Sequence, residues 1–135
     1  MDVDKALAFL RTHHHAILLT RHPDGRPQMS PVVAGVQDAD IVISTRETAV
    51  KTRNARRDPA VSLCAFTDRF YGDWIQVDGT AEIISLPEAM DHLVAYYRDI
   101  SGEHPDWDDY RAAMTRERRV VLRITPTRAG PDRHG

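Results

Sequence analysis

The clearest pattern along the chain is the strict alternation of residues 74–85. Ile75, Val77, Ala81 and Ile83 take one parity; Trp74, Gln76, Asp78, Thr80 and Glu82 take the other. Side chains of a strand point alternately to opposite faces, so this stretch predicts the longest strand, apolar on one side. Gly79 interrupts it and marks a bulge or a close backbone approach. Residues 119–125 alternate in the same way through Val120, Leu122 and Ile124 and predict the last strand. Residues 16–20 form a compact apolar run, which predicts a strand buried on both faces. Next comes His22-Pro23-Asp24-Gly25-Arg26-Pro27, whose Asp-Gly pair is a strong hairpin signal. The returning strand spans residues 28–36, with Met29 and Val33 on one face and Gln28, Ser30 and Val32 on the other. Pro31 within it has no N–H to give a ladder, so it requires an edge or a bulge. Residues 41–45 and 61–66 complete a set of six strands.

Helical spacing appears in four places. Val3, Ala6, Leu7 and Leu10 recur behind Asp2 and Asp4. A short basic helix begins at Lys51 and is stopped by Asp58-Pro59. Pro87 opens a helix with a stripe of Met90, Leu93, Val94 and Tyr97, a pattern that reads as core. Asp106 is placed to cap a helix carrying Trp107, Tyr110 and Met114. One helix thus falls between strands three and four, and a helical pair between strands five and six. Hairpin connections make the sheet mostly antiparallel, and six such strands close into a small barrel that leaves no edges. The expected fold is mainly β: one barrel domain over residues 1–128, then a polar, mobile tail at 129–135.

Composition narrows the function classes. With 135 residues, 41% hydrophobic and 28% charged, the chain has the makeup of one soluble globular domain. A formal net charge of -2 and a pI near 6.4 argue against a general nucleic-acid binder, which needs excess positive charge. The single cysteine, Cys64, rules out an internal disulfide and reads as a strand thiol. There is no long apolar run and no leader pattern, so no membrane association and a cytoplasmic location are expected. His13-His14-His15 are successive residues that do not face one point, and no metal site is expected there. No Ser-His-Asp set, paired carboxylates or Gly-rich loop is present, so no catalytic acid or base is named.

Charge is uneven, however. Lys51, Arg53, Arg56 and Arg57 fall within seven residues, directly after a predicted strand. A helix start offers free N–H groups and the positive end of its dipole, and Lys51 adds a full charge. Ser44 and Thr45 end the preceding strand and converge on the same corner. A basic run is also an ordinary solvated helix face, so the pattern suggests an anion site without naming the anion.

These stretches together resemble a known family. Gly25-Arg26-Pro27-Gln28-Met29-Ser30-Pro31, then Lys51-Thr52-Arg53-Asn54 with Arg56-Arg57-Asp58-Pro59, is similar to the pyridoxamine-phosphate-oxidase-like superfamily of FMN-binding-type split β-barrels. Trp74 with Gly79-Thr80-Ala81, the run from Tyr97 to His104, and Trp107-Asp108-Asp109-Tyr110-Arg111 resemble, within it, the deazaflavin-dependent reductases of actinobacteria. The resemblance implies coenzyme F420 as cofactor and a homodimer with its sites in grooves between protomers. It implies that Lys51 and Thr52 hold the cofactor phosphate, that Asn54 braces the turn, and that Ser44 and Thr45 contact the phosphate or ribityl chain. Gln28, Ser30, Pro31 and Val32 would lie along the ring. Trp74 of the opposite protomer would wall the groove, and Arg57 would help hold the acidic oligoglutamate tail. The implied activity is reduction of a conjugated acceptor such as a quinone or bilin. FMN-dependent oxidation-reduction on the same barrel is the alternative, followed by a non-catalytic cofactor or haem carrier. Two departures accompany the resemblance. Ala49 stands where some relatives carry an arginine, and Pro126-Thr127-Arg128 lacks the Arg-Leu substrate segment of true pyridoxamine phosphate oxidases.

Overall fold

The computed structural model describes residues 2–134. Its elements run α1 (Asp2–Leu10), β1 (His15–Arg21), β2 (Pro27–Gln37), β3 (Asp40–Arg46), α2 (Val50–Arg57), β4 (Ala60–Phe66), β5 (Trp74–Ile84), α3 (Ala89–Ser101), α4 (Trp107–Arg116) and β6 (Arg119–Asp132). The strands close in the order β1-β2-β3-β6-β5-β4, every neighbouring pair antiparallel. This is the closed six-stranded barrel expected from the strand pattern, and its topology agrees with the split barrel that the resemblance implied.

Two apolar cores form on opposite sides of the barrel wall. Inside it, Leu18, Ala34, Ile41, Ile43, Leu63, Val77, Leu122 and Ile124 pack together, closed at one end by Ala6, Leu7 and Leu10 of α1. Outside it, Val42 of β3 and Val121 of β6 turn away from the lumen and meet Leu93, Val94, Tyr110 and Met114 of α3 and α4. The stripes read as core on both helices do face this second cluster. β3 is therefore the strand buried on both faces. β1, expected to be so, is not: Ala16, Leu18 and Thr20 point inward, whereas Ile17 and Leu19 are only half-buried on the other face.

The turn chemistry follows the residues that form it. Gly25 adopts φ +88°, a left-handed conformation that glycine tolerates, and closes the β1–β2 hairpin with its N–H on the His22 carbonyl. Gly79 sits at a register shift between β5 and β6, where an added Cβ would meet Ile124 Cγ2 at 2.5 Å and the Thr125 carbonyl oxygen at 2.6 Å. Both bulge and close approach hold there. Asp106 caps α4 by accepting from the Asp109 amide.

One boundary differs. The last strand does not stop at Thr125: β6 continues to Asp132, with Ala129 buried and paired with Val77, and Asp132 opposite Ile75. The stretch read as a mobile tail up to residue 132 is a barrel strand. Its Pro and Gly residues disguised it, but it follows a bulge along β5, where such residues are accommodated. Gly135 lies outside the described residues.

Candidate functional site

β2 changes partners along its length. Its whole span from Pro27 to Val33 pairs with β1, but only residues 34–37 pair with β3. Beyond Ala34 the two strands separate, and β3 continues alone beside β6 as far as Arg46. Pro31 thus lies where β2 has one open edge, which is the position a missing N–H requires. α2 starts at the mouth of this seam.

A cavity of about 920 Å³ opens along the seam. Ala16, Pro31, Val32, Val33 and Phe66 give it an apolar floor; Ser44, Thr45, Arg46, Ala49 and Lys51 form the α2 end; Tyr96, Tyr97, Tyr110, Met114 and Arg119 close the side nearest α3 and α4. Lys51 Nζ crosses the seam toward Ser30 Oγ, 3.4 Å away. The other two arginines of the lining are already committed: Arg46 and Arg119 share the Glu117 carboxylate, at 3.3 and 2.9 Å. That carboxyl is held below its ordinary range by the Arg119 hydrogen bond foremost, with Arg46 adding to it. Among the described residues Lys51 is the one Lys or Arg of this lining without a carboxylate partner. The amides of Val50 and Lys51, at the start of α2, have no protein acceptor among the described residues either. Such a corner carries uncompensated positive charge and free donors, which suits an anion.

The residues singled out in the sequence divide into two sets. Pro31, Val32, Ser44, Thr45 and Lys51 line the cavity, and Ser30 meets Lys51 at its edge. Thr52, Asn54, Gln28 and Arg57 do not line it; their polar groups hold α2 in place. Thr52 is fully buried and its hydroxyl donates to the Arg46 carbonyl at 2.7 Å, so it braces the end of β3 instead of reaching a ligand. Asn54, also buried, donates to Thr20 Oγ1 at 3.1 Å, and that hydroxyl donates in turn to Gln28 Oε1 at 3.1 Å. Arg57 donates to Asn54 Oδ1 at 2.9 Å and to the Arg21 carbonyl at 2.5 Å. These four side chains tie α2 to β1, β2 and β3, and so fix the direction in which Lys51 points. Trp74 lies outside the cavity within its own chain, beside Phe9 and Asp132, but it pairs across the sheet with Phe66, which does line it.

The three histidines diverge. His13 rests on the Phe9 ring, His14 Nδ1 meets the Ala34 carbonyl at 2.9 Å, and His15 pairs with Asp68 at 2.8 Å. Cys64 is half-buried, and burial raises its thiol pKa.

Sequence reasoning did not find Tyr96, Arg46, Glu117 or Arg119. Arg46 and Arg119 are opposite one another in the β3–β6 ladder, a pairing of the third strand with the sixth that no local signal announces. Tyr96 stands next to Tyr97 but off the apolar stripe of α3. Burial raises both Tyr96 and Tyr110, the latter to about 12. Both are therefore neutral hydroxyls near pH 7, and each donates to a backbone carbonyl: Tyr96 to Val33 at 2.8 Å, Tyr110 to Leu93 at 2.9 Å.

The chain is thus a six-stranded barrel with a lysine at its open seam, and comparison with known proteins gives it a family. The family model of pyridoxamine 5'-phosphate oxidase matches residues 3–131, and the chain belongs to that family. A conserved hypothetical protein of Mycobacterium tuberculosis is 27% identical with a TM-score of 0.77, over 96% of this chain and 82% of that one. A protein named F420 reductase is 22% identical with a TM-score of 0.70, over 91% and 94%. A heme binding protein from Mycobacterium smegmatis is 18% identical with a TM-score of 0.71, over 96% and 52%. The last two likenesses speak to the fold alone. Among the described residues no helix is long and apolar enough to cross a membrane.

Proposed function

We propose that the protein is a coenzyme F420-dependent oxidoreductase that reduces a conjugated small-molecule acceptor such as a quinone or bilin. The observation that carries this reading is Lys51: an unpaired cation beside two free helix amides, at one end of an apolar groove. The residues present fit such a group. Lys51 and the amides of Val50 and Lys51 would take its phosphate, with Ser44 and Thr45 beside them. Pro31, Val32 and Val33 would lie under its ring, where the open edge of β2 leaves backbone groups without a strand partner. When bound, the deazaflavin supplies two-electron reduction as a hydride from ring carbon five. The chain's own residues bind, orient and keep water from the ring. The fold likeness to a protein named F420 reductase supports the choice of cofactor.

FMN, with a terminal phosphate monoester, would suit the same lysine, and family membership supports it as the rival. Titration of the purified protein with each cofactor separates the two. Tighter binding of F420 is expected; tighter binding of FMN overturns the choice. Oxidation of reduced F420 in the presence of quinones and bilins, followed by absorbance, then tests for turnover. A ligand that binds without turnover would make the protein a carrier.

The reading includes a homodimer. The outer faces of β2, β1, β4 and β5 set Val33, Pro31 and Met29 beside Ile17 and Leu19, with Phe66 and Trp74 at one end. Met29 and Val33 are exposed at 62% and 40%, an apolar patch that runs into the cavity lining. A second copy seated there would bring its Trp74 toward the groove. Sedimentation at low micromolar concentration is expected to give two chains per particle; a stable monomer removes Trp74 from the site.

A further inference from the structure

The seam has a specific place where it begins. The β2–β3 hairpin turns through the two-residue loop Asp38-Ala39, with Gln37 opposite Asp40. In an antiparallel ladder hydrogen-bonded and non-hydrogen-bonded pairs alternate. Counting from the turn, bonded pairs fall at Gln37/Asp40 and Gly35/Val42, and the next would be Val33/Ser44. The ladder stops at Ala34/Ile43, one position short of it. The Tyr96 hydroxyl occupies that rung: it donates to the Val33 carbonyl at 2.8 Å, on the edge toward which the ladder's alternation turns the Ser44 amide.

α3 is clamped so that this hydroxyl reaches the strand. Gln37 Nε2 donates to the His92 carbonyl at 2.9 Å, and Gln37 Oε1 meets His92 Nδ1 at 2.9 Å, one helical turn before Tyr96. One turn after it, Ile100 packs over Gly35. An added Cβ there would sit 3.2 Å from Ile100 Cδ1 and 3.8 Å from Tyr96 Cδ2. His92, Tyr96 and Ile100 are four apart, so one face of α3 follows β2 along its edge.

We infer that Tyr96 is a positioning residue: its hydroxyl takes the place of the Val33/Ser44 rung and so holds β2 and β3 apart where the ligand groove opens. The inference deepens the cofactor reading above and rests on it for the consequence in binding. Val33 and Ser44 both line the cavity, so pairing them would draw its two walls together where the groove begins. Without the hydroxyl, the Val33 carbonyl loses its partner and is free to accept from the Ser44 amide across the seam. A phenylalanine keeps the ring packing on α3 and removes only the wedge.

The test compares cofactor-free wild type with Tyr96→Phe by amide-resolved NMR, and then compares their affinities for F420. In the variant a new cross-strand contact between the Val33 and Ser44 backbones is expected, with the Ser44 amide at least as protected from exchange as before. F420 affinity is expected to fall about tenfold, the change that one net hydrogen bond's worth of groove closure corresponds to. An exchange-labile Ser44 amide without the Val33 contact would mean the hydroxyl only satisfies the strand ends, and would overturn the wedge. So would an unchanged Ser44 resonance. If the contact forms while neither protein binds F420, the wedge stands and the cofactor reading falls.

Discussion

The two halves of β2 make an instructive pair. Residues 34–37 are ordinary barrel: bonded to β3, Ala34 and Gly35 buried, the outer surface covered by α3. Residues 27–33 keep the same strand conformation but pair with β1 instead, and their β3-facing edge is open. The difference is one of partners, not of backbone. A strand edge is normally a liability that folds cover or pair. Here it is left open along a cavity, faced by a lysine and stitched at one point by a tyrosine hydroxyl. The closed half works as scaffold and the open half as a receptive surface, and changes to each should fail in different ways.

The largest effect is expected in the closed half. Ile43, in the last pair of the β2–β3 ladder, is 1% exposed within the inner core. Ile43→Ala should cost about 2–5 kcal/mol of folding stability through lost burial and the cavity left behind. Urea denaturation measures it; a loss under about 1 kcal/mol would show that this wall is loosely packed. Lys51→Ala should do the reverse. It leaves both cores intact, so the denaturation midpoint should barely move. Affinity for an anionic cofactor should fall by about 1.5–3 kcal/mol for a lost charge-assisted hydrogen bond, read by fluorescence titration. An unchanged dissociation constant would take Lys51 out of the site.

The smallest effect sharpens the contrast between the free lysine and the paired arginines. Glu117 neutralises part of the charge of Arg46 and Arg119, so Glu117→Gln should tighten anion binding, by less than about 1 kcal/mol given its partial exposure. The same carboxylate carries a pH signature. Its pKa in the folded protein lies below the ordinary 4.5, so its contribution to stability is present above 4.5 and is lost as pH falls through the lowered value. The stability gap between wild type and Glu117→Gln should therefore be flat near neutrality and shrink below pH 4.5. A gap that widened toward acid would show that the arginines do not depend on this carboxylate.

Much of this was visible before any coordinates. The alternation in β5, the Asp-Gly hairpin and the Asp106 cap are local features, fixed by neighbours two to four residues away, and local physics sets them. Pro31 announced an edge or a bulge for the same reason: its lack of an N–H holds in any fold. Lys51 could be singled out because a strand end, a helix start and a cation adjoin in the chain itself. The role of Thr52 could not, since its hydroxyl is spent on a carbonyl six residues back through a turn that the sequence does not describe. Gln28, Asn54 and Arg57 look equally ligand-like in a list of residues, and only their mutual bonds reveal them as the frame beneath the helix. The far end of β6 was misread because proline and glycine weigh against a strand locally, while pairing with β5 across more than fifty residues outweighs them.

The chain's own order thus determined the barrel, its strand count, its open-edged second strand and the cation at its mouth, because hydrophobic period, turn chemistry and missing donors act over a few residues. Tertiary structure alone decided which polar side chains face the groove and which brace it. It also brought Arg46, Glu117 and Arg119 into one cluster and set the Tyr96 hydroxyl between two strands. Those outcomes depend on where distant segments meet, and a hydrogen bond is decided by tenths of an ångström that no spacing along the chain encodes.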